Sequence, residues 1–358
     1  MRRRLKGYQA GLLLLLLFVL LVPFIGNQEI EAKKKEKKLT VSFIDVGQGN
    51  ASLIQYDGKN VLIDTGEEAN YYKLKGYLKK KNIKVIHHMI LTHYDSDHMG
   101  SADLVMEDFT VKRVSVSAYE NDKKNTVQVK ELNEAVSTYK VKKAKLKAGK
   151  KIGVAKGITL KTLSPKKNYG ESNENSVVLR LDYKKKSFLF TGDIDSMVEK
   201  DIYKKYNVDV DVLQVAHHGS DYSSGIMFLK KVSPEFAVIS VGEGNSYGHP
   251  KSTVLKRLSN FTKTVYRTDK NGTIIFTSDG KNLTVKKVKS TYKKDTSRKD
   301  TSEMNTPANT DKFIGNRNSK VYHYPGCSSL PYASNRVYFK TEEEAKAAGY
   351  RLHTGCHN

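Results

Sequence analysis

The chain has 358 residues, room for one large domain and a smaller one, and its 62 Lys and Arg against 38 Asp and Glu give a formal charge of +24. A surface of that sign attracts polyanions before any specific contact forms, and nucleic acid, teichoic acid and anionic lipid all suit it. Only two cysteines are present, Cys327 and Cys356, both close to the carboxyl terminus, which excludes a disulfide framework for the larger part of the protein.

The amino terminus reads Met1-Arg2-Arg3-Arg4 and then an apolar run from Ala10 to Ile25, the charged-then-apolar layout of a secretory signal. Ile30-Glu31-Ala32 offers a small residue at a cleavage position, while the run is nearly long enough to stay as an anchor with its arginines inside. Residues 1–32 are expected to be a signal peptide or membrane anchor. Everything after about Lys33 is then expected outside the cytoplasmic membrane, secreted or held on its outer face.

Residues 39–288 alternate short β-type runs with amphipathic stretches: Val41 to Val46, Ala51 to Tyr56, Asn60 to Asp64, a helix around Tyr71 to Lys81, then Val85 to Thr92. Further strands are predicted near Val111 to Val116, Ser176 to Asp182, Ser187 to Phe190, Val210 to Val215 and Phe236 to Val241, with helices after Asp195, Ile226 and Ser252. This is a mixed α/β pattern in which helices cover packed sheets. Residues 289–311 are Lys, Ser, Thr, Asp and Asn with almost nothing to bury and read as a flexible linker. Residues 312–358 recover aromatic and apolar content as a short terminal module.

Three clusters of ligand-type residues close three of these strands. Thr92-His93-Tyr94-Asp95-Ser96-Asp97-His98 places two imidazoles and two carboxylates within six residues. Such groups are costly to leave unpaired and can converge on a divalent cation, which compensates their burial. Thr191-Gly192-Asp193 and His217-His218-Gly219-Ser220 each read alone as turn chemistry or structural histidines. In order behind the first cluster, they make a metal site the better reading.

Together with Asp45-Val46-Gly47-Gln48-Gly49-Asn50-Ala51 and Leu62-Ile63-Asp64-Thr65-Gly66, these clusters resemble the metallo-β-lactamase superfamily, and within it the extracellular hydrolase domain of ComEC-type competence proteins. The resemblance implies an αββα sandwich with its site at the edge where strands end. It implies that Asp97, His98 and His217 hold one ion, that Asp193 bridges to a second, and that His93 and Asp95 hold that second ion. The superfamily has histidine where Asp95 stands and another histidine between the clusters, where this chain has Asn173, Asn175 and Ser176. The second position is therefore poorer in nitrogen, and one or two ions, zinc or manganese, are implied. Asp97 would also orient the nucleophile. His218 and His249 would contact substrate or protonate the leaving group, Asn245 in Asn245-Ser246-Tyr247-Gly248-His249-Pro250 would lie on the substrate side, and Asp64 would brace the site from behind.

In the terminal module, His323 precedes Cys327 and His353 precedes Cys356, two close pairs of N and S ligands that suit a structural zinc; a Cys327–Cys356 disulfide is the competing reading. A module this small buries little core, so a metal would help it fold. With Phe313-Ile314-Gly315-Asn316, Asn335-Arg336-Val337-Tyr338-Phe339 and Glu344 to Arg351, it resembles the zinc-binding domain of the Ada DNA-repair protein. Histidines replace two of that family's four cysteines. The resemblance implies a small zinc-stabilised α+β fold that can sit on DNA, with Arg336, Lys340 and Arg351 supplying phosphate contacts.

The expected function is that of an exported metal-dependent phosphodiesterase or nuclease acting on DNA. The alternatives are a cell-envelope hydrolase, such as a teichoic-acid or phosphorylcholine esterase associated with the wall, and a non-catalytic DNA-binding protein with a vestigial site. The absence of tryptophan and of choline-binding aromatic repeats counts against the first alternative.

Overall fold

The computed structural model describes residues 37–120, 126–292, 313–317, 320–324 and 336–353. The expected signal or anchor, most of the expected linker (from residue 293 on), Cys327 and Cys356 lie outside the described residues.

Alternating side chains build two sheets that share one core. In the first, the strands lie in the order Leu283–Val288, Thr273–Ser278, Leu39–Phe43, Ser52–Tyr56, Lys59–Ile63, His88–Ile90, Arg113–Ser117, Lys142–Leu146. Pairing is antiparallel as far as Lys59–Ile63 and parallel beyond it. The second sheet runs Thr264–Arg267, Phe236–Ile239, Val212–Gln214, Lys186–Phe190, Val178–Tyr183, Ile158–Ser164, Lys151–Ala155, parallel as far as Lys186–Phe190 and antiparallel beyond.

Leu39, Val41 and Phe43 send every second side chain between the sheets to meet Phe188, Phe190 and Phe276. Burying each of these contributes about 1.5–3 kcal/mol. The other face of the first sheet, with Leu53, Leu62 and Met89, is covered by Leu74, Tyr77 and Leu78 of the helix Tyr71–Lys80. The outer face of the second sheet packs on Val198 and Ile202 of Ser196–Lys205 and on Phe228, Leu229 and Leu258. The result is the helix–sheet–sheet–helix sandwich of the metallo-β-lactamase fold.

Three details depart from the sequence expectation. The run Val85 to Thr92 divides at His87, with Val85–Ile86 pairing with Thr110–Val111 in a small separate sheet while His88–Ile90 joins the main one. The strands Lys142–Leu146, Lys151–Ala155 and Ile158–Ser164, and likewise Thr264–Arg267, Thr273–Ser278 and Leu283–Val288, have no counterpart among the predicted elements. Tyr292, inside the expected linker, packs on the hydrolase core beside Lys80.

The terminal module is α+β. Its sheet runs Arg336–Phe339, Phe313–Asn316, Val321–His323, Arg351–Leu352, and the helix Glu342–Ala347 is capped by Thr341, whose hydroxyl accepts from the Glu344 amide at 3.1 Å. Its core is small: Tyr322, Phe339, Ala345 and Tyr350.

Candidate metal centre

The carboxyl ends of parallel strands from both sheets converge at one edge of the sandwich, where open α/β sheets place their ligands. Lys59–Ile63 delivers Asp64, His88–Ile90 leads into His93 to His98, Lys186–Phe190 into Asp193, and Val212–Gln214 into His217 and His218. Asp64, His217 and His218 hold left-handed backbone, at φ +58°, +52° and +53°. Such strain in non-glycine residues gathers where surrounding structure enforces it, commonly at functional sites. Gly49 is required for a close approach: a Cβ there would lie 2.1 Å from the carbonyl oxygen of Asp97, so only glycine lets the Asp45–Asn50 loop close over that residue.

Asp97, His98, Asp193 and His218 bring one ligating atom each to within 4.8 Å of one another, all but Asp97 fully buried. The His218 Nε2 lies 2.9 Å from Asp97 Oδ2 and 3.3 Å from Asp193 Oδ2, and His98 Nε2 lies 3.1 Å from Asp193 Oδ1. The two imidazole nitrogens are 3.4 Å apart and address the same point. Their far sides are fixed: His98 Nδ1 donates to Asp64 Oδ2 at 2.8 Å, and His218 Nδ1 to the Ser240 carbonyl at 2.8 Å. Asp64 is itself held by the Thr92 amide (2.7 Å) and hydroxyl (2.9 Å). This is the outer arrangement that fixes ring orientation and tautomer at metal sites.

Burial alone would raise both cluster carboxylates, but the His98 charge and the His218 contact outweigh it and hold Asp97 and Asp193 well below the usual range. Conversely, burial would lower the imidazoles, yet Asp193 and its neighbours lift His98 well above its ordinary value and His218 to about 10. An alternation of two anions and two cations, buried and mutually compensating, is what a divalent ion would replace on binding, with release of protons.

His93 stands beside this cluster, its ring 4.0 Å from that of His98, with Nδ1 against Ser176 Oγ at 3.2 Å. The same hydroxyl accepts from the Asp193 amide. The His93 Nε2 is buried and has no hydrogen-bond partner among the described residues. A buried imidazole nitrogen left open costs desolvation that a metal would offset. The donor set therefore fits a divalent ion at Asp97, His98, Asp193 and His218, and His93 offers a nitrogen toward a second.

The placement of the adjacent histidines differs from the sequence assignment. The structure groups His218 with the ligands, whereas His217 lies at the rim, its Nε2 3.9 Å from Asp193 Oδ2 and its side chain a quarter exposed. The consecutive left-handed residues turn the second imidazole inward. Asp95 and His249 both line the cleft that opens onto the cluster, a space of about 190 Å³ shared with Gln48, Asn173 and Tyr247. Burial and the neighbouring His217 push His249 down to about 4, so its ring is neutral near pH 7. Asn245 does not line this cleft. Its amide is engaged within its own loop, donating to the Gly242 and His249 carbonyls and accepting from the His249 amide. Gln48, inside the Asp45–Ala51 motif, lines the cleft without a role assigned from sequence, and Ser176, which stands where the superfamily pattern is broken, holds His93 and the Asp193 amide.

In the module, His323 and His353 are buried and their rings stack 4.3 Å apart. Burial, then His353, lowers His323 to about 4. Both rings are neutral and side by side, as zinc ligation requires. Cys327 and Cys356 lie outside the described residues. Arg351 is more than half exposed and pairs with Glu134 of the hydrolase domain at 3.0 Å, so a phosphate would compete with that carboxylate for it. Arg336 acts on Glu68 electrostatically, and Lys340 is exposed.

Family models match the chain in two places: the metallo-beta-lactamase superfamily over residues 44–243 and the metal binding domain of Ada over residues 299–358. Among curated proteins, the chain is similar to ComE operon protein 3 of Bacillus subtilis, 32% identical over 256 residues, covering 65% of this chain and 32% of that protein. It is also similar to Recombination protein 2 of Haemophilus influenzae, 32% identical over 240 residues and covering 65% and 28%, and to Competence protein ComA of Neisseria gonorrhoeae, 29% identical over 265 residues and covering 72% and 35%. The chain thus spans about a third of the length of these relatives. Among solved structures, the metallo-beta-lactamase fold protein YhfI of Bacillus subtilis aligns with a TM-score of 0.46 at 13% identity, over 67% of this chain and 100% of that one.

Proposed function

Because this chain belongs to the metallo-beta-lactamase superfamily and is a metal-dependent hydrolase of that kind, with an Ada-type metal-binding domain behind it, we propose that its substrate is DNA and its reaction phosphodiester hydrolysis. The observation that carries the reading is a buried two-carboxylate, two-imidazole cluster opening into a polar cleft, on a chain of charge +24. Phosphates are drawn to such a surface by counterion release, and the cluster lies where a bound ion meets them. Similarity to proteins named for competence and recombination supports the same substrate class.

A divalent ion bound here supplies hydroxide near neutral pH and offsets the charge that develops on phosphoryl oxygens. The chain's own groups do the rest. Asp97 and Asp193 stay ionised as anionic ligands, Asp64 and Ser240 lock the two imidazoles, and Ser176 orients His93 and the Asp193 amide together. At the rim, His249 is held neutral near pH 7 and can accept a hydrogen bond from substrate, but it carries no proton to give to the leaving group, against the role the sequence suggests for it.

Export belongs to the proposal and rests on Arg2-Arg3-Arg4 followed by the apolar run to Ile25. No helix among the described residues is long and apolar enough to cross a membrane. Zinc in the module, held by His323, His353, Cys327 and Cys356, is likewise proposed, from the paired imidazoles and the family match.

The test is cleavage of end-labelled single- and double-stranded DNA by the purified chain with manganese or zinc supplied. Asp97→Ala should lower the rate at least a hundredfold, since it removes a ligand where even an outer-shell change costs about 10–100-fold. Absence of cleavage by the unaltered chain with either metal would overturn the nuclease reading.

A further inference from the structure

A line of rings leads out of the metal centre. His98 meets His218 at 5.3 Å between centroids, His218 meets His217 at 6.3 Å, His217 meets His249 edge-on at 5.8 Å, and His249 stacks on Tyr247 at 5.8 Å with planes 21° apart. The line runs from the buried His98 and His218 through the half-buried His217 and His249 to Tyr247, which is 61% exposed while still lining the cleft. The other large exposed aromatics among the described residues, Tyr139, Tyr222 and Tyr338, are not part of that lining.

An exposed aromatic ring is unfavourable in water, and here the loop that carries it is rigid. Asn245 clamps Gly242 and His249 through three hydrogen bonds of 2.8–3.0 Å, Gln48 accepts from the Gly242 amide at 3.1 Å, and Lys251 donates to the Tyr247 carbonyl at 2.8 Å. His249, neutral, backs one side of the phenol ring, and much of the rest is open to solvent. A flat apolar ring held at the mouth of a phosphate-cleaving pocket suits a flat apolar ligand, and every nucleobase offers a π-face whatever its sequence.

Resting on the phosphodiesterase reading, we propose that Tyr247 is a nucleobase-stacking platform, seating an unpaired base next to the phosphate addressed by the metal cluster. A duplex keeps its bases stacked on one another, so the platform selects single strands, frayed ends or flaps, and does so without reading sequence. Lys251 places a cation on the same loop, its ammonium at the Tyr247 carbonyl.

The experiment measures binding apart from cleavage. The full-length chain, with calcium in place of manganese, is titrated into fluorescein-labelled hexathymidylate bearing nuclease-resistant phosphorothioate linkages, and into the same strand with its central residues abasic. The unaltered protein and Tyr247→Phe should bind the base-bearing strand about tenfold more tightly than the abasic one, Tyr247→Ala should bind the two alike, and Tyr222→Ala should keep the preference. Equal binding of both strands by the unaltered protein overturns the platform, as does a Tyr247→Ala variant that weakens both strands by one factor. A ring-dependent preference in a protein that cleaves no DNA upholds the platform and removes only the nuclease reading.

Discussion

Two groups of carboxylates, one in the metal cleft and one beneath the terminal module, are both partly withdrawn from water yet titrate in opposite directions. In the cleft, Asp97 and Asp193 fall below the carboxylate range because His98 and His218 stand about 3 Å away. Beneath the module, burial lifts Asp103 to about 6, Glu68 to about 7 and Glu131 to about 9, and the acids raise one another. The cavity there is lined by Asp103, Glu107, Glu131 and Glu134, with Asn316 contributed by the module. Its cations, Arg336 and Arg351, come from the module and lie toward the surface. Depth alone therefore does not make a metal site; a compensating imidazole at ligand distance does. Among the described residues, only the cleft gathers three or more ligating groups closely enough for an ion.

The strongest way to break the contrast is to remove what orients the cleft's cation. Asp64 touches no other member of the cluster directly but holds His98 Nδ1. Asp64→Asn keeps the size and the ability to accept from the Thr92 amide, and loses the charge that favours the bound tautomer. Manganese or zinc affinity, measured by calorimetry, should fall about 10–100-fold. An unchanged affinity would show that the ring is fixed by packing alone.

How much of this contrast the sequence displays depends on whether its residues are neighbours in the chain. His93 to His98 is a single turn, and the period-two strands before each cluster place all three clusters at one edge, so the sandwich and the cleft are legible. The choice between His217 and His218 is not, because identical side chains stand in succession and only the left-handed backbone decides which faces inward. The strand Lys142–Leu146 escapes notice for a different reason: it is an edge strand, and its lysines are solvent-facing protection against edge pairing that also erases the apolar alternation. The acidic face is invisible in sequence since Glu68, Asp103, Glu131 and Glu134 come from separate segments, and no motif joins them.

A second way acts on the acidic face. Glu131 has a folded pKa of about 9 against an unfolded value near 4.5, so between those values the folded chain binds more protons than the unfolded one. Stability then falls as pH rises through that window, the reverse of the usual paired carboxylate. Glu131→Gln removes the penalty and also relieves Asp103 and Glu68, whose charges oppose its own. The variant should match the parent near pH 4.5 and exceed it by about 2–4 °C in Tm near pH 8. Equal melting temperatures at both values would mean that water reaches the cavity and the acids ionise freely.

The smallest effect belongs to the contact that ties module to domain by charge. Arg351 and Glu134 lie 3.0 Å apart, but the Arg351 side chain is 58% exposed, so solvent screens the pair and its worth is about 0–1 kcal/mol. Arg351→Ala should lower Tm by no more than about 2 °C at low salt, and the difference should vanish at about 0.5 M salt, where the screening length is only a few ångströms. A loss that survives high salt would assign the contact to the arginine's apolar stem packing on the domain. The pair also sets what the module can offer to DNA. While Glu134 holds the guanidinium, a phosphate must displace it, so Arg351→Ala should weaken DNA binding less than a free arginine's removal would, and the salt dependence of binding should be nearly unaltered.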